Sequence, residues 1–521
     1  MRKRNVWTAL AAAAMVLQLV GTAGPSAGQT TPEVEFTFTP LSGPAGTKID
    51  ITGTGCPHSA TAEFDGIAFL APQGSQTPIA STQVTFVSTA EGTFAFQLDS
   101  AGLEPGGYIP FVLCATTSKG GPGSLFTVTV PVIPGSTYFP LNPARVLDTR
   151  TGLGVGGAIN KIGAGGQIDV KVTDLLGVPA TNVTAVALNV VATDVVGPPS
   201  YLTVWPAGQA RPLASNLNYV PGVSVPNLVI ARVGVDGKVS MYNNLGSVNV
   251  AADIQGYFQG DTTGSTYVPL APARILDTRV GTGGTSAPVG PGGTIELKVT
   301  DAGGVPASGG TAVALNVTAT NVSGLESYLT VWPSGQNRPV ASNLNFIQGQ
   351  TVPNLVIARV GAEGRISIYN NVGNVDVVAD TQGFFAHPVA EPPRPGSVYY
   401  PANPARILDT RTGLGVPGGH QGQLGTQSTL DLQVTGQGGV PANATSVVLN
   451  VTAADSPGPD SYLTVYPTGT ARPLASNLNF VRGQTVPNLV IAKLSPSGQV
   501  TIYNNLGSTV VVADVQGWFT A

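Results

Sequence analysis

The chain has 521 residues, only 10% of them charged, with a formal net charge of −4 and no block of Lys or Arg beyond its first few positions. That length exceeds what a single hydrophobic core serves, and that charge pattern offers no footprint for nucleic acid or an anionic membrane. The 67 Gly and 43 Pro are spread as punctuation between short runs of Val, Thr, Ile, Leu and Tyr, which reads as strands separated by turns.

Residues 1–28 read as a bacterial export signal that is removed. Arg2, Lys3 and Arg4 precede the apolar run Val6 to Val20, and small residues follow from Gly21 to Gly28. The run is shorter than the roughly 20 residues a spanning helix needs. No later segment is long and apolar enough, so a secreted or cell-wall-associated protein is expected, not a membrane-spanning one. Cys56 and Cys114 are the only cysteines. In an oxidising compartment they are expected to pair, closing a loop for which chain entropy gives roughly 4 kcal/mol.

Residues 33–133 form the first expected domain. Lys48 to Thr52, Thr93 to Leu98 and Tyr108 to Cys114 alternate or run apolar at strand length. Short strands over about a hundred residues with one long-range Cys pair suggest an Ig-like β-sandwich. After it, Pro143-Ala144-Arg145-Val146-Leu147-Asp148-Thr149-Arg150 returns at Pro272 to Arg279 and at Pro404 to Arg411. Tyr201-Leu202-Thr203-Val204-Trp205, Val225-Pro226-Asn227-Leu228-Val229-Ile230-Ala231 and Asp253-Ile254-Gln255-Gly256-Tyr257-Phe258 recur in step. A period near 130 with about eight strand-like runs makes each copy a whole domain, not a solenoid turn or a propeller blade. The modules are placed at 137–259, 266–386 and 398–521, joined by a Gly/Thr-rich linker and a Pro-rich one from His387 to Ser397. The expected fold is all-β: an Ig-like sandwich followed by three tandem β-sandwich or jelly-roll-like domains. The unequal linkers argue against closure of the three into a threefold cluster.

The Pro-Ala-Arg-Ile-Leu-Asp-Thr-Arg opening, the Val-Ala-Leu-Asn-Val-Thr-Ala strand and the Ser-Tyr-Leu-Thr-Val-Trp-Pro strand resemble tandem modules of secreted actinobacterial proteins. The Pro40 to Thr47 and Pro105 to Tyr108 stretches resemble bacterial Ig-like domains. These resemblances imply location and architecture; they imply no activity.

Chemistry has little to stand on. His58, His387 and His420 occupy unrelated positions, so no histidine-based catalytic group repeats. No metal-ligand spacing or phosphate loop is present, and no metal or cofactor is expected. Two constellations do repeat. The first is charged: Arg145, Asp148 and Arg150, then Arg274, Asp277 and Arg279, then Arg406, Asp409 and Arg411, with further acids at Asp253/Asp380/Asp514 and Asp169/Glu296/Asp431. It reads as a structural ion pair, with ligand binding or paired-carboxylate glycan hydrolysis as alternatives. Strand alternation puts Arg145 on the face opposite Asp148 and Arg150. The second is aromatic: Tyr201, Trp205, Arg211 and Asn216; Tyr328, Trp332, Arg338 and Asn343; Tyr462, Tyr466, Arg472 and Asn477. Aromatic faces beside amide and guanidinium donors suit a sugar; the competing reading is that they cap the sandwich core. The favoured function is a non-enzymatic secreted or surface protein that binds cell-wall or other polysaccharide. The alternatives are a structural or adhesive protein acting by module–module association and an extracellular glycan hydrolase.

Overall fold

The computed structural model describes residues 135–387 and 396–521 continuously and, between 35 and 129, nine strands with parts of the segments joining them. The export signal and most of the Pro-rich spacer lie outside the described residues. Two compact units divide between residues 132 and 133.

The first unit contains β1 (Glu35–Thr39), β2 (Ser42–Pro44), β3 (Lys48–Thr54), β4 (Gly66–Pro72), β5 (Val84–Phe86), β6 (Phe94–Asp99), β7 (Gly106–Cys114), β8 (Lys119–Pro122) and β9 (Phe126–Thr129). One sheet runs β1-β3-β6. The other runs β2-β9-β7-β4-β5, with β8 also on β7. Alternation in β3 buries Ile49 and Ile51 between exposed Lys48, Asp50 and Thr52. They pack with Phe86, Phe94 and Val112 in a core that includes the Cys56–Cys114 disulfide, whose Cα atoms are 5.5 Å apart. This is the expected β-sandwich with its disulfide.

The second unit begins with β10 (Thr137–Asp148), β11 (Gln167–Lys171), β12 (Val183–Val196), β13 (Ser200–Pro206), β14 (Leu217–Tyr219), β15 (Val225–Arg232), β16 (Lys238–Asn243) and β17 (Ser247–Gln259). They form two antiparallel sheets, β10-β17-β12-β15 and β11-β16-β13-β14. Counted within the module, the orders are 1-8-3-6 and 2-7-4-5, which is a jelly roll of two Greek keys. The second and third copies repeat both orders strand for strand. Between the sheets of each copy lies its own aliphatic core, such as Leu188, Val190, Leu202 and Met241 in the first.

Strands β12, β15 and β17 are buried on both faces. In β15 the run Asn227-Leu228-Val229-Ile230-Ala231 is buried throughout, the signature of a strand covered on two sides. Val229 and Ala231 point into the module core, whereas Leu228 and Ile230 point out of it. There they meet Leu355, Ile357, Leu489 and Ile491 of the other copies in a shared cluster.

The three modules therefore close into a ring around a pseudo-threefold axis, contrary to the expectation drawn from the unequal linkers. Tyr138 and Ser265 exchange backbone hydrogen bonds of 2.8 and 2.9 Å, and Tyr267 and Ser397 do the same. Ser136 and Tyr399 complete the cycle with no linker between their modules. The linkers only connect. The apolar faces close the ring.

Candidate functional site at the module interfaces

The charged motif forms a clamp in every copy. Asp253 on β17 is paired with Arg145 on β10 in the register of the sheet, and Arg145 grips it with Nε and Nη2 at 2.5 and 3.2 Å. The third guanidinium nitrogen, Nη1, reaches Asp148 at 2.8 Å. Arg150 closes on Asp148 from the other side through Nε, Nη2 and its backbone N–H. The same contacts recur at Arg274/Asp277/Arg279/Asp380 and at Arg406/Asp409/Arg411/Asp514. The alternation expectation for Arg145 fails here. A register shift between Arg145 and Leu147 inserts a bulge, which turns Arg145 to the same side as Asp148.

The two carboxylates of each clamp differ in environment. Hydrogen bonds from Arg150 hold Asp148 below the ordinary carboxylate range, and Asp277 and Asp409 behave alike. Burial pushes Asp253, Asp380 and Asp514 above that range even though an Arg contacts each. All three buried carboxylates are at most 1% exposed, so their chemistry is to fix an arginine. The third repeated acid lies on the other sheet. There Asp169, Glu296 and Asp431 accept hydrogen bonds from Ser240, Ser367 and Thr501. Among the described residues no group of His, Cys, Asp and Glu has the arrangement of a metal site.

The aromatic motif divides. The loop after β13 folds back over the strand and covers Thr203 and Trp205. Thr203 donates to the Ala214 carbonyl, and the Trp205 indole N–H donates to the Gln209 carbonyl at 3.0 Å. Trp205, Trp332 and Tyr466 are buried, so they offer no stacking face to a sugar. Asn216, Asn343 and Asn477 are buried too, each accepting the backbone N–H of Val204, Val331 or Val465 at 2.7 Å. The expectation that these six bind ligand is corrected: they pin the returning loop. Tyr201, Tyr328 and Tyr462 remain half-buried at the open end of the strand. Arg211, Arg338 and Arg472 are exposed, each lying flat over Tyr242, Tyr369 or Tyr503 with its guanidinium carbon 3.6 to 3.7 Å from the ring centre.

Ring closure brings the two motifs together, each across a boundary between modules. The loop carrying Arg211 packs on the clamp of the third copy, where Asn450 donates to the Ser215 carbonyl at 2.6 Å. The loop carrying Arg338 packs on the first copy through Asn189 and Ser342. The loop carrying Arg472 packs on the second through Asn316 and Ser476 at 2.6 Å. Between the third and first modules a groove of about 330 Å³ opens, lined by Arg406, Arg411, Thr452, Tyr201, Arg211 and Leu213 among others. Three arginines and no Asp or Glu line it, because Asp409 and Asp514 lie behind their arginines. The Thr452 hydroxyl, 4% exposed, has no hydrogen-bond partner among the described residues.

The residues that build this arrangement belong to neither the charged nor the aromatic motif. Asn227, Asn354 and Asn488 sit at the axis, and each bonds across to a neighbouring module: Asn227 to Asn450, Asn354 to Asn189 and Asn488 to Asn316. Tyr138, Tyr267 and Tyr399 interleave with Phe258, Phe385 and Phe519, with inter-module centroid distances of 4.3 to 4.5 Å. A Cβ on Gly256 would overlap the Tyr138 hydroxyl, and Gly383 and Gly517 stand in the same relation to Tyr267 and Tyr399. The signal was present: a polar Asn and a Gly held at fixed places in strands that are otherwise apolar without alternation.

No protein-family model matches this chain, and no curated protein matches it. Among solved structures, the tandem CBM22-1–CBM22-2 domains of Paenibacillus barcinonensis Xyn10C share 11% identity, with 49% of this chain and 99% of that chain covered and a TM-score of 0.16. A triple jelly-roll protein of an archaeal virus shares 9% identity, covering 73% of this chain and 91% of its own, with a TM-score of 0.15. Three N-terminal domains of the bacteriophage RB49 outer capsid protein Hoc share 9%, covering 68% and 96%, with a TM-score of 0.13. Likenesses this slight do not bear on function.

Proposed function

We propose that this chain is an exported, non-catalytic binding protein of the cell surface or surroundings. Its three jelly rolls form one rigid head that holds an extracellular polysaccharide along the boundaries between modules. The observation that carries this reading is the unpaired arginine at each boundary between modules. Among the described residues Arg211, Arg338 and Arg472 have no ion-pair partner, although charges are scarce in this sequence. Stacking on a tyrosine holds each exposed guanidinium in place, a preorganised donor set. Three such sites on one body gain by avidity what each lacks alone.

Export is supported by the sequence of residues 1–28 and by the Cys56–Cys114 disulfide. Among the described residues no helix is long and apolar enough to cross a membrane. An adhesive role through association of modules is less well supported, because the apolar faces that associate are already filled within the chain.

Affinity electrophoresis of the mature full chain through gels containing soluble cell-wall and plant polysaccharides tests the proposal. Retardation by at least one polymer is expected, reduced when Tyr201, Tyr328 and Tyr462 are replaced together by Ala. Unchanged mobility in every polymer would overturn it.

A further inference from the structure

The inter-module groove does not present the chemistry of a neutral sugar cleft. The groove between the third and first modules is lined by Arg406, Arg411 and Arg211 with no carboxylate facing it, in a protein of net charge −4. Arg406 is committed: all three of its side-chain nitrogens bond Asp514 or Asp409. Arg411 binds Asp409 through Nε and Nη2 while its side chain stays 48% exposed. Among the described residues Arg211 has only its tyrosine. The clamp is internally neutral, two arginines against two aspartates, so the arginine on the incoming loop is a net positive charge added to each interface. An oxyanion suits this lining, accepting from the exposed guanidinium edges of Arg211 and Arg411.

We infer that each inter-module groove is a site for an anionic group, a carboxylate or a phosphate, and that the ligand of the whole head is a polyanionic polymer. This inference rests on the reading of the head as a polysaccharide binder and narrows it to acidic chains.

The test compares the mature full chain against polygalacturonate, a carboxylate polymer, long-chain polyphosphate, and neutral dextran and xylan, by titration at low and high salt. Binding to at least one polyanion is expected, about tenfold or more tighter than to the neutral chains and weakened by salt as screening lengths shorten. Which polyanion wins separates carboxylate from phosphate. Replacing Arg211, Arg338 and Arg472 together by Gln is expected to remove the salt dependence and most of the affinity. These side chains are exposed, and an unchanged melting temperature verifies the fold. Equal binding to neutral and acidic polymers, or polyanion binding untouched by the arginine substitutions, overturns this inference while the polysaccharide reading stands. Failure to bind any polymer overturns both.

Discussion

The side-chain amide of Asn227 donates to the Asn450 carbonyl oxygen at 2.9 Å across 223 residues of sequence. The carbonyl oxygen of the same Asn227 accepts the backbone N–H of Leu489, and its amide donates a second bond to the Asn216 carbonyl. One side chain thus ties two modules, and its counterparts Asn354 and Asn488 complete the cycle. Each is buried and satisfied. Such a network specifies one registration of the three modules, because any rotation leaves buried polar groups unpaired.

Asn227→Ala removes one acceptor and two donors at once. Asn450, the Asn216 carbonyl and the Leu489 N–H are then left without this partner in the interior. A buried group deprived of its partner costs about 1–3 kcal/mol, so the loss is expected to exceed about 3 kcal/mol. Urea unfolding of the mature chain, with the exposed substitution Arg211→Gln as control, measures it. Asn227→Asp is expected to be at least as damaging, since it buries a charge.

An isolated first module, residues 137–259, is expected not to remain a well-behaved monomer. Alone it presents Tyr138, Ala185, Ala187, Leu228, Ile230 and Phe258 to water, all of them buried at the axis in the full ring. Exposed patches of this kind drive association. Sedimentation should show trimers or larger species, with dye binding to any monomer. A dilute, dye-negative monomer would contradict the shared axial core.

Trp332→Ala separates structure from binding. The indole is 7% exposed and its N–H bonds the Gln336 carbonyl. Truncation is expected to cost about 3–5 kcal/mol while leaving polymer affinity per folded molecule unchanged. Calorimetry and titration on the same sample decide. A loss of affinity without a loss of stability would restore the tryptophan as a contact residue.

The sequence made some of this plain and hid the rest for physical reasons. Period-two alternation in β3 and the threefold recurrence of whole motifs establish an all-β chain of repeated domains. Jelly-roll order depends on pairings such as Arg145 with Asp253, 108 positions apart, and no local pattern encodes them. Tyr201, Thr203 and Trp205 alternate with the core residues Leu202 and Val204 along β13, a pattern plain in the sequence. It gave no sign that the loop from Pro206 to Asn216 returns over the last two and spares the first. The ring itself had a legible trace in Asn227-Leu228-Val229-Ile230-Ala231, a run too evenly apolar for a strand with one wet face. Linker length concealed it, since the ring closes between Ser136 and Tyr399, where the chain makes no connection.

The clamp carboxylates are expected to titrate in two classes. Asp148, Asp277 and Asp409 are held below the ordinary value by arginine hydrogen bonds. Their stabilisation is present above the unfolded value and is lost as pH falls through the folded one, in the strongly acidic range. Asp253, Asp380 and Asp514 are raised by burial. Their protonated form favours the fold; that contribution is present below the unfolded value and lost as pH rises through the folded one. Acidification from neutrality therefore first relieves Asp253, Asp380 and Asp514 and only later breaks the arginine-bonded Asp148, Asp277 and Asp409. Stability is expected to hold or rise slightly down to about pH 4 and to fall steeply below it. Carbon-13 NMR of labelled Asp carboxyls should resolve three groups titrating above and three below the ordinary range. Asp148→Asn, Asp277→Asn and Asp409→Asn combined should flatten the acid limb of the stability curve, and a limb of unchanged steepness would show that these clamps do not set it.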